Sequence, residues 1–388
     1  MSVNDVLARS GPRKLLALDG GGIRGVITIE MLGSLEAQLQ KALHRDDSFV
    51  LADYFDYIAG TSTGAIIAAC LAMGKRVDEV RRLYVERGQE MFDRAGLLNL
   101  FRYRFNHRKL AARLQAELGA DTTLGSDTVR TLLMIVLRNA TTDSPWPLSN
   151  NPYALYNQPG VSGRNTDLRL WQLVRASAAA PVFFAPEEIH VGDNRFLFVD
   201  GGLTMYNNPA FQLFLMATVE RYWAEAPEHR WPAGEDKMLL VSLGTGSGAS
   251  ANAGLKARDL HLLYNAKSVP AALMFAALNE QDFLCRVFGK CLAGEPLDSE
   301  VGDMIARGQP PRGGAGPTAP KLFTYLRYNA NLTRAGLDQL GIAASVRPQD
   351  VQKLDSVRHI GTLQQIGRSA AAKQMSPEQF ATHFAGFL

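Results

Sequence analysis

The stretch Phe55-Asp56-Tyr57-Ile58-Ala59-Gly60-Thr61-Ser62-Thr63-Gly64-Ala65-Ile66-Ile67-Ala68-Ala69-Cys70-Leu71 decides the fold. Phe55 to Ala59 is a short apolar run of the kind that makes a buried strand. It stops in a turn, Gly60-Thr61-Ser62-Thr63-Gly64. Ala65 to Leu71 follows, apolar on all sides of a helix, which places that helix centrally. Strand, glycine-flanked serine and helix is the order of a nucleophile elbow, Gly-x-Ser-x-Gly. Glycines on either side let neighbouring backbone approach. The serine hydroxyl then sits at a helix N-terminus, where free amides and the helix dipole favour negative charge.

Two other strands end in the same way. Lys14-Leu15-Leu16-Ala17-Leu18-Asp19 runs into Gly20-Gly21-Gly22-Ile23-Arg24-Gly25. Leu32, Leu35, Leu39 and Leu43 then predict an amphipathic helix over residues 26–43. Phe196 to Asp200 is closed by Gly201-Gly202. Ligands in open α/β sheets bind beyond the carboxyl ends of strands, so these three turns are expected to converge. Further strands are predicted at Val129 to Leu137, Met238 to Leu243 (before Gly244 to Gly248) and Leu322 to Tyr328. Helices are expected from Val77 to Met91, from Leu168 to Ala179, and in residues 255–295 and 348–386. Residues 143–167 read as a loop, and 307–321 as a mobile one. Strands alternating with helices give an α/β class with helices on both faces of a sheet.

A serine nucleophile needs a base. None of the seven histidines sits in a strand-end motif, and the elbow comes early for a Ser-His-Asp hydrolase. Asp200 is the better partner. A Ser62–Asp200 dyad needs a short contact and a partly desolvated carboxylate, whose basicity rises on burial. An aspartate before two glycines is also ordinary turn chemistry. The loop Gly20 to Gly25 has two readings. As Gly-x-Gly-x-x-Gly it is a dinucleotide fingerprint, but the second strand lacks the acidic end that would bind ribose. As an oxyanion hole, its consecutive amides would face an ester carbonyl oxygen. Arg24 would then brace the loop or meet a phosphate headgroup.

Composition narrows the classes. Of 388 residues, 46% are apolar and 20% charged, which supports a large core and excludes global disorder. Lys and Arg number 41 against 38 Asp and Glu, without the basic excess of a nucleic-acid binder. Cys70, Cys285 and Cys291 show neither a disulfide framework nor metal-ligand spacing, which fits a reducing compartment. Met1 to Arg13 lacks the apolar core of a signal peptide. The charge-free stretches Tyr57 to Gly74 and Gly201 to Val219 are broken by Gly60–Gly64 and by Asn207-Asn208-Pro209, short of a membrane span. The expectation is a cytoplasmic protein with peripheral contact at the inner membrane surface. Phe101 to Lys109 interleaves aromatic and basic residues, as a headgroup-binding segment does. RNA contact and a plain solvated face are its alternatives. Residues 269–288 are a lid over an acyl channel or ordinary core.

The ordered set Asp19-Gly20-Gly21-Gly22-Ile23-Arg24-Gly25, Gly60-Thr61-Ser62-Thr63-Gly64 and Asp200-Gly201-Gly202 resembles the patatin-like phospholipases. Trp171 to Phe184, Asn207-Asn208-Pro209 and Ser242-Leu243-Gly244-Thr245-Gly246 add to the likeness, which covers residues 14–248. The resemblance implies a three-layer α/β/α fold with a central, mainly parallel sheet and a helical C-terminal cover. It divides the chain into an N-terminal tail (1–13), a catalytic core (14–248) and a mainly helical extension packed on the core (249–388). It implies a phospholipase A-type lipid acyl hydrolase working through an acyl-enzyme, with Ser62 as nucleophile and Asp200 as general base. Gly20, Gly21, Gly22 and Arg24 would form the oxyanion loop, and Gly60 and Gly64 the flanks of the elbow. No metal or other cofactor is implied. The partners expected are a phospholipid substrate and a peripheral membrane surface, with no nucleic-acid polymer. A general carboxylesterase or lysophospholipase on the same dyad, or a nucleotide-binding regulatory module on Gly20 to Gly25, are the rivals. Some bacterial relatives are switched on by cyclic nucleotides.

Overall fold

The computed structural model describes residues 2–91, 107–181, 183–248, 262–307 and 319–388. Its centre, among the described residues, is one nine-stranded sheet. The strands are β1 (Arg13–Leu18), β2 (Tyr57–Thr61), β3 (Leu132–Asn139), β4 (Ser144–Ser149), β5 (Glu187–Val191), β6 (Asn194–Asp200), β7 (Met238–Leu243), β8 (Lys290–Ala293) and β9 (Thr324–Tyr328). β3, β2, β1, β7, β9 and β8 lie side by side in that order and run parallel. β4 and β6 are antiparallel to β3, and β5 is antiparallel to β6.

The inner strands are buried on both faces, so they read as apolar runs. Their side chains alternate between two cores. Leu16, Leu18, Ile58, Leu133, Ile135 and Val241 face one core, and Leu15, Ala17, Tyr57, Ala59, Met134 and Leu240 the other. Helices Gly25–Ala42, Thr63–Ala72, Leu170–Ser177 and Ile360–Gln374 contribute to the first core. Ala210–Thr218, Trp223, Trp231 and Cys285 of the long helix Leu262–Phe288 contribute to the second. The result is three layers.

β3 decides where two of the chemical turns meet. β4 pairs with Met134 to Asn139 of β3, and β2 pairs with Leu132 to Val136, so β2 and β4 occupy opposite edges. β6 pairs with Leu137 to Asn139, which β4 also covers, so β6 shares the β2 edge. β2 stops with Thr61 opposite Val136, and β6, running the other way, stops with Asp200 opposite Leu137. The two carboxyl ends abut. β1 lies beside β2 with Leu18 opposite Gly60, so Asp19 and the glycines after it emerge at the same place.

Several local expectations shift. The third strand begins at Leu132 rather than Val129. Residues 143–167 are not wholly loop, because Ser144–Ser149 forms β4. Its Pro145 and Pro147 are tolerated on a strand that pairs with β3 alone. The first residues carry ordered structure of their own. Ser2 and Asp5 cap the helix Val3–Leu7, Val6 is buried, and Arg13 already belongs to β1. Position 248 is no break in the fold, since β9 pairs with β7 and β8 with β9. The later part of the chain extends the sheet as well as covering it. Phe101 to Asn106 of the aromatic-basic segment, and residues 308–318 of the expected mobile loop, lie outside the described residues. Among the described residues no helix is long and apolar enough to cross a membrane. All three cysteines are free and buried.

Candidate active site

Ser62 follows β2 and caps the helix Thr63–Ala72, with φ 55° and ψ −121°. A non-glycine residue there stores about 1–3 kcal/mol of strain, which its surroundings must hold. The glycines around it are required by contact. A Cβ on Gly60 would lie 2.1 Å from the Gly64 carbonyl oxygen, and one on Gly64 would lie 2.2 Å from that of Leu18. The Ser62 amide donates to Ser177 Oγ (2.9 Å), and Ser177 Oγ donates to the Val136 carbonyl (2.6 Å). Ser177 is fully buried at the end of the helix Leu170–Ser177.

Ser62 Oγ donates to Asp200 Oδ2 at 2.8 Å. The Gly202 amide donates to the other carboxylate oxygen at 2.7 Å, and the Asp200 amide donates to the Ala179 carbonyl at 3.0 Å. Ser177 and Ala179, two residues apart, therefore hold the two members of the pair. In the sequence Ser177 is marked only as a serine in the otherwise apolar run Ala176 to Ala180. Ser177→Ala is expected to lower kcat on a soluble ester by about tenfold to a hundredfold, the cost of a small misplacement of reacting groups. KM should change little, and Ser177→Thr should recover part of the loss. Steady-state kinetics of both purified variants check this.

Ser62 and Asp200 are 9% and 5% exposed, so the carboxylate sits almost out of water. Burial raises the Asp200 pKa to about 6, against the opposing bonds from Gly202 and Ser62. A base must be ionised to take a proton. Activity should therefore be full above this value and fall about tenfold per pH unit below it, since the ionised fraction falls by that factor. A kcat/KM profile between pH 4 and 8 tests this, and a flat profile would remove Asp200 as the base.

The glycine loop lies against the elbow: a Cβ on Gly20 would be 3.3 Å from Ser62 Cβ. Its amides divide into two sets. Gly20 donates to the Asn207 carbonyl, Ile23 to Leu354 and Arg24 to Gly21. The Gly21 and Gly22 amides donate to no acceptor among the described residues. Gly22 needs its lack of a side chain twice, for φ +59° and for the Leu354 carbonyl, 2.4 Å from where a Cβ would be. Thr245, in the turn after β7, donates to the Gly20 carbonyl at 2.9 Å. The Arg24 guanidinium meets the carbonyls of Gly21 (3.4 Å) and Gly246 (3.2 Å), so it braces the loop. Burial pushes its pKa down to about 10, which still leaves it charged near neutral pH. Among the described residues no group of three His, Cys, Asp or Glu is placed to hold a metal ion.

Residues 16–214 match the family described as patatin-like phospholipase. The chain belongs to that family. It is 34% identical over 217 residues to the cGAMP-activated phospholipase of Escherichia coli (strain TW11681), covering 54% of this chain and 57% of that one. It is 30% identical over 247 residues to Patatin-15 of Solanum tuberosum, covering 60% of each. The chain thus spans less than two thirds of the length of these curated relatives. A solved structure of human GIVD cytosolic phospholipase A2 superposes with a TM-score of 0.43 at 13% identity, over 99% of this chain and 62% of that one.

In this patatin-like phospholipase chain the glycine loop is anchored from beyond residue 248. Arg327 on β9 donates to both oxygens of Asp19, at 2.9 and 2.6 Å, and to Ser242 Oγ at 2.7 Å. Asp19 and Arg327 are essentially sealed from solvent. Burial opposes the arginine charge, but Asp19 outweighs it and holds the Arg327 pKa above the ordinary guanidinium value. Arg286 makes a second buried pair with Asp282, which also accepts from the Tyr325 hydroxyl. Asp19 is visible in the sequence as part of a glycine motif, whereas Arg327 lies in no motif. The available signal was one arginine inside the buried run Thr324 to Tyr328, because a charge in such a strand needs a partner.

Proposed function

We propose that this chain hydrolyses fatty acyl esters of phospholipids through a Ser62–Asp200 dyad. The observation that carries this is the 2.8 Å bond from the strained, buried Ser62 hydroxyl into the Asp200 carboxylate. Asp200 takes the hydroxyl proton as Ser62 Oγ attacks the ester carbonyl carbon. The oxygen that becomes negative is met by the free amides of Gly21 and Gly22, and losing one such donor typically costs ~2.7–4 kcal/mol of barrier. The carbonyl reforms as the bond to the lysophospholipid oxygen breaks, and that oxygen leaves with the proton held on Asp200. An acyl-Ser62 ester remains. Water attacks it, giving a proton to Asp200, and the fatty acid departs as Ser62 Oγ recovers a proton.

The test uses a fluorophosphonate probe and defined phospholipids. Wild type should be labelled at Ser62 and release fatty acid and lysophospholipid, while Ser62→Ala does neither. Labelling with turnover of short soluble esters but no phospholipid cleavage would move the reading to a general carboxylesterase. No labelling, with tight dinucleotide binding, would move it to a regulatory module. The name of the E. coli relative describes activation by cGAMP, and running the phospholipid assay with and without cGAMP asks the same of this chain.

A further inference from the structure

Asn207 and Asn208 follow the Asp200 turn side by side, and the fold employs them differently. Asn208 is fully buried, and its Oδ1 accepts from the Ala210 amide (3.1 Å) and from Ser242 Oγ (3.3 Å). Asn207 is only 6% exposed, yet its side-chain amide has no hydrogen-bond partner among the described residues. Its Oδ1 lies 2.3 Å from where a Cβ on Gly20 would be and 2.9 Å from where one on Gly202 would be. Ser62 Cβ is 3.3 Å from the first of those points, and Asp200 Oδ1 is 3.0 Å from the second. The Asn207 amide therefore stands between the glycine loop and the aspartate turn, close to both members of the pair. Its backbone is held by the loop and the elbow: the Gly20 amide donates to the Asn207 carbonyl at 3.1 Å, and Thr61 Oγ1 donates to the Tyr206 carbonyl at 2.6 Å. A buried amide left unpaired by folding costs free energy, so its position calls for a use.

We propose that Asn207 Oδ1 holds the water that hydrolyses acyl-Ser62. The inference rests on the acyl hydrolase reading above and adds a residue to the second half of that reaction. Water attacking the acyl carbon gives one proton to Asp200 as its oxygen bonds to carbon. The carbonyl reforms as the bond from carbon to Ser62 Oγ breaks, and Oγ takes that proton from Asp200. The other hydrogen stays on the water's oxygen during attack. Ser62, Asp200 and Asn207 are 9%, 5% and 6% exposed, so bulk water is poorly placed to accept from it. In a site this dry the acceptor has to come from the protein. Two acceptors, Asp200 and Asn207, then fix both hydrogens and direct an oxygen lone pair at the acyl carbon. A neutral amide suits the second place, because another carboxylate there would oppose ionisation of Asp200. The first half of the reaction makes no such demand, since the one hydrogen on Ser62 Oγ already goes to Asp200.

The test compares the full chain with Asn207→Leu, which keeps the size of the side chain and removes its acceptor. Enzyme in excess is mixed with p-nitrophenyl butyrate. Release of p-nitrophenol reports acylation, and quenched samples read by intact mass report the life of butyryl-Ser62. Decay of the adduct should slow by about tenfold to a hundredfold, the effect of leaving one buried hydrogen-bonding group unpaired. The adduct should then accumulate in the variant while acylation is little changed. Once decay limits turnover, kcat and KM should fall together and kcat/KM should stay near wild type. Adduct decay at the wild-type rate overturns the proposal. So does equal slowing of acylation and decay, which would make Asn207 an oxyanion donor or a prop of the glycine loop. Should Asn207→Leu fail to fold, Asn207→Ala removes the same acceptor without crowding and is judged on the same two rates. If wild type releases no p-nitrophenol, the hydrolase reading falls and this proposal with it. Release by both proteins, followed by equal decay, sinks the proposal alone.

Discussion

Asp200→Asn should slow ester hydrolysis by roughly 10²–10⁴-fold, the usual worth of a positioned general base. The amide can hold the place of the carboxylate but cannot take the Ser62 proton. Stability should move the other way. A free aspartate titrates near roughly 3.9, and Asp200 in the fold titrates at about 6. Between those values the folded protein holds more protons than the unfolded chain, so stability falls as pH rises through that window and stays lower above it. The variant has no charge to desolvate there. Its urea midpoint relative to wild type should therefore be higher at pH 7 than at pH 4. A loss of activity together with a gain of stability separates a functional carboxylate from a structural one. Near-normal kcat in the folded variant would end the dyad as proposed.

Arg327→Met should destabilise the protein by about 3–5 kcal/mol, the cost of leaving a buried charge without its partner. Asp19 is fully buried, and both of its carboxylate oxygens bond to Arg327. The glycine loop begins at the next residue, so its free amides should also lose their placement, with kcat falling along with stability. Adding Asp19→Asn should restore part of the loss, because the uncompensated charge is then gone and the pair is energetically coupled. Urea unfolding of the two single variants and the double variant measures this. Simple additivity of the single effects would show that the pair acts as two independent residues.

Much of the site was legible because backbone geometry imposes residue type. At Gly60 and Gly64 a side chain would strike backbone two-odd ångströms away, so the elbow is written in glycines. The free amides of Gly21 and Gly22 likewise require a loop without side chains. What the residues did not reveal was division of labour within that loop. Gly20 and Arg24 look equivalent to Gly21 and Gly22 in the motif. Their amides are taken up by Asn207 and by Gly21, and only the fold decides that. Ser177 escaped notice for the same reason. Its hydroxyl matters through Ser62 and Val136, residues 115 and 41 positions away in the chain.

The chain's local pattern determined the strand ends, the serine on its turn, the aspartate before two glycines and the two-sided burial of the sheet. Each follows from interactions within a few residues, or from the period at which apolar side chains recur. Tertiary structure alone decided that β6 enters antiparallel on the β2 edge of β3, so that Asp200 and Thr61 end opposite neighbouring residues. It alone decided that an arginine of β9 neutralises Asp19. The physical reason is that strand pairing and buried ion pairing join partners far apart in sequence, and no local period records which distant edge or charge will be the partner.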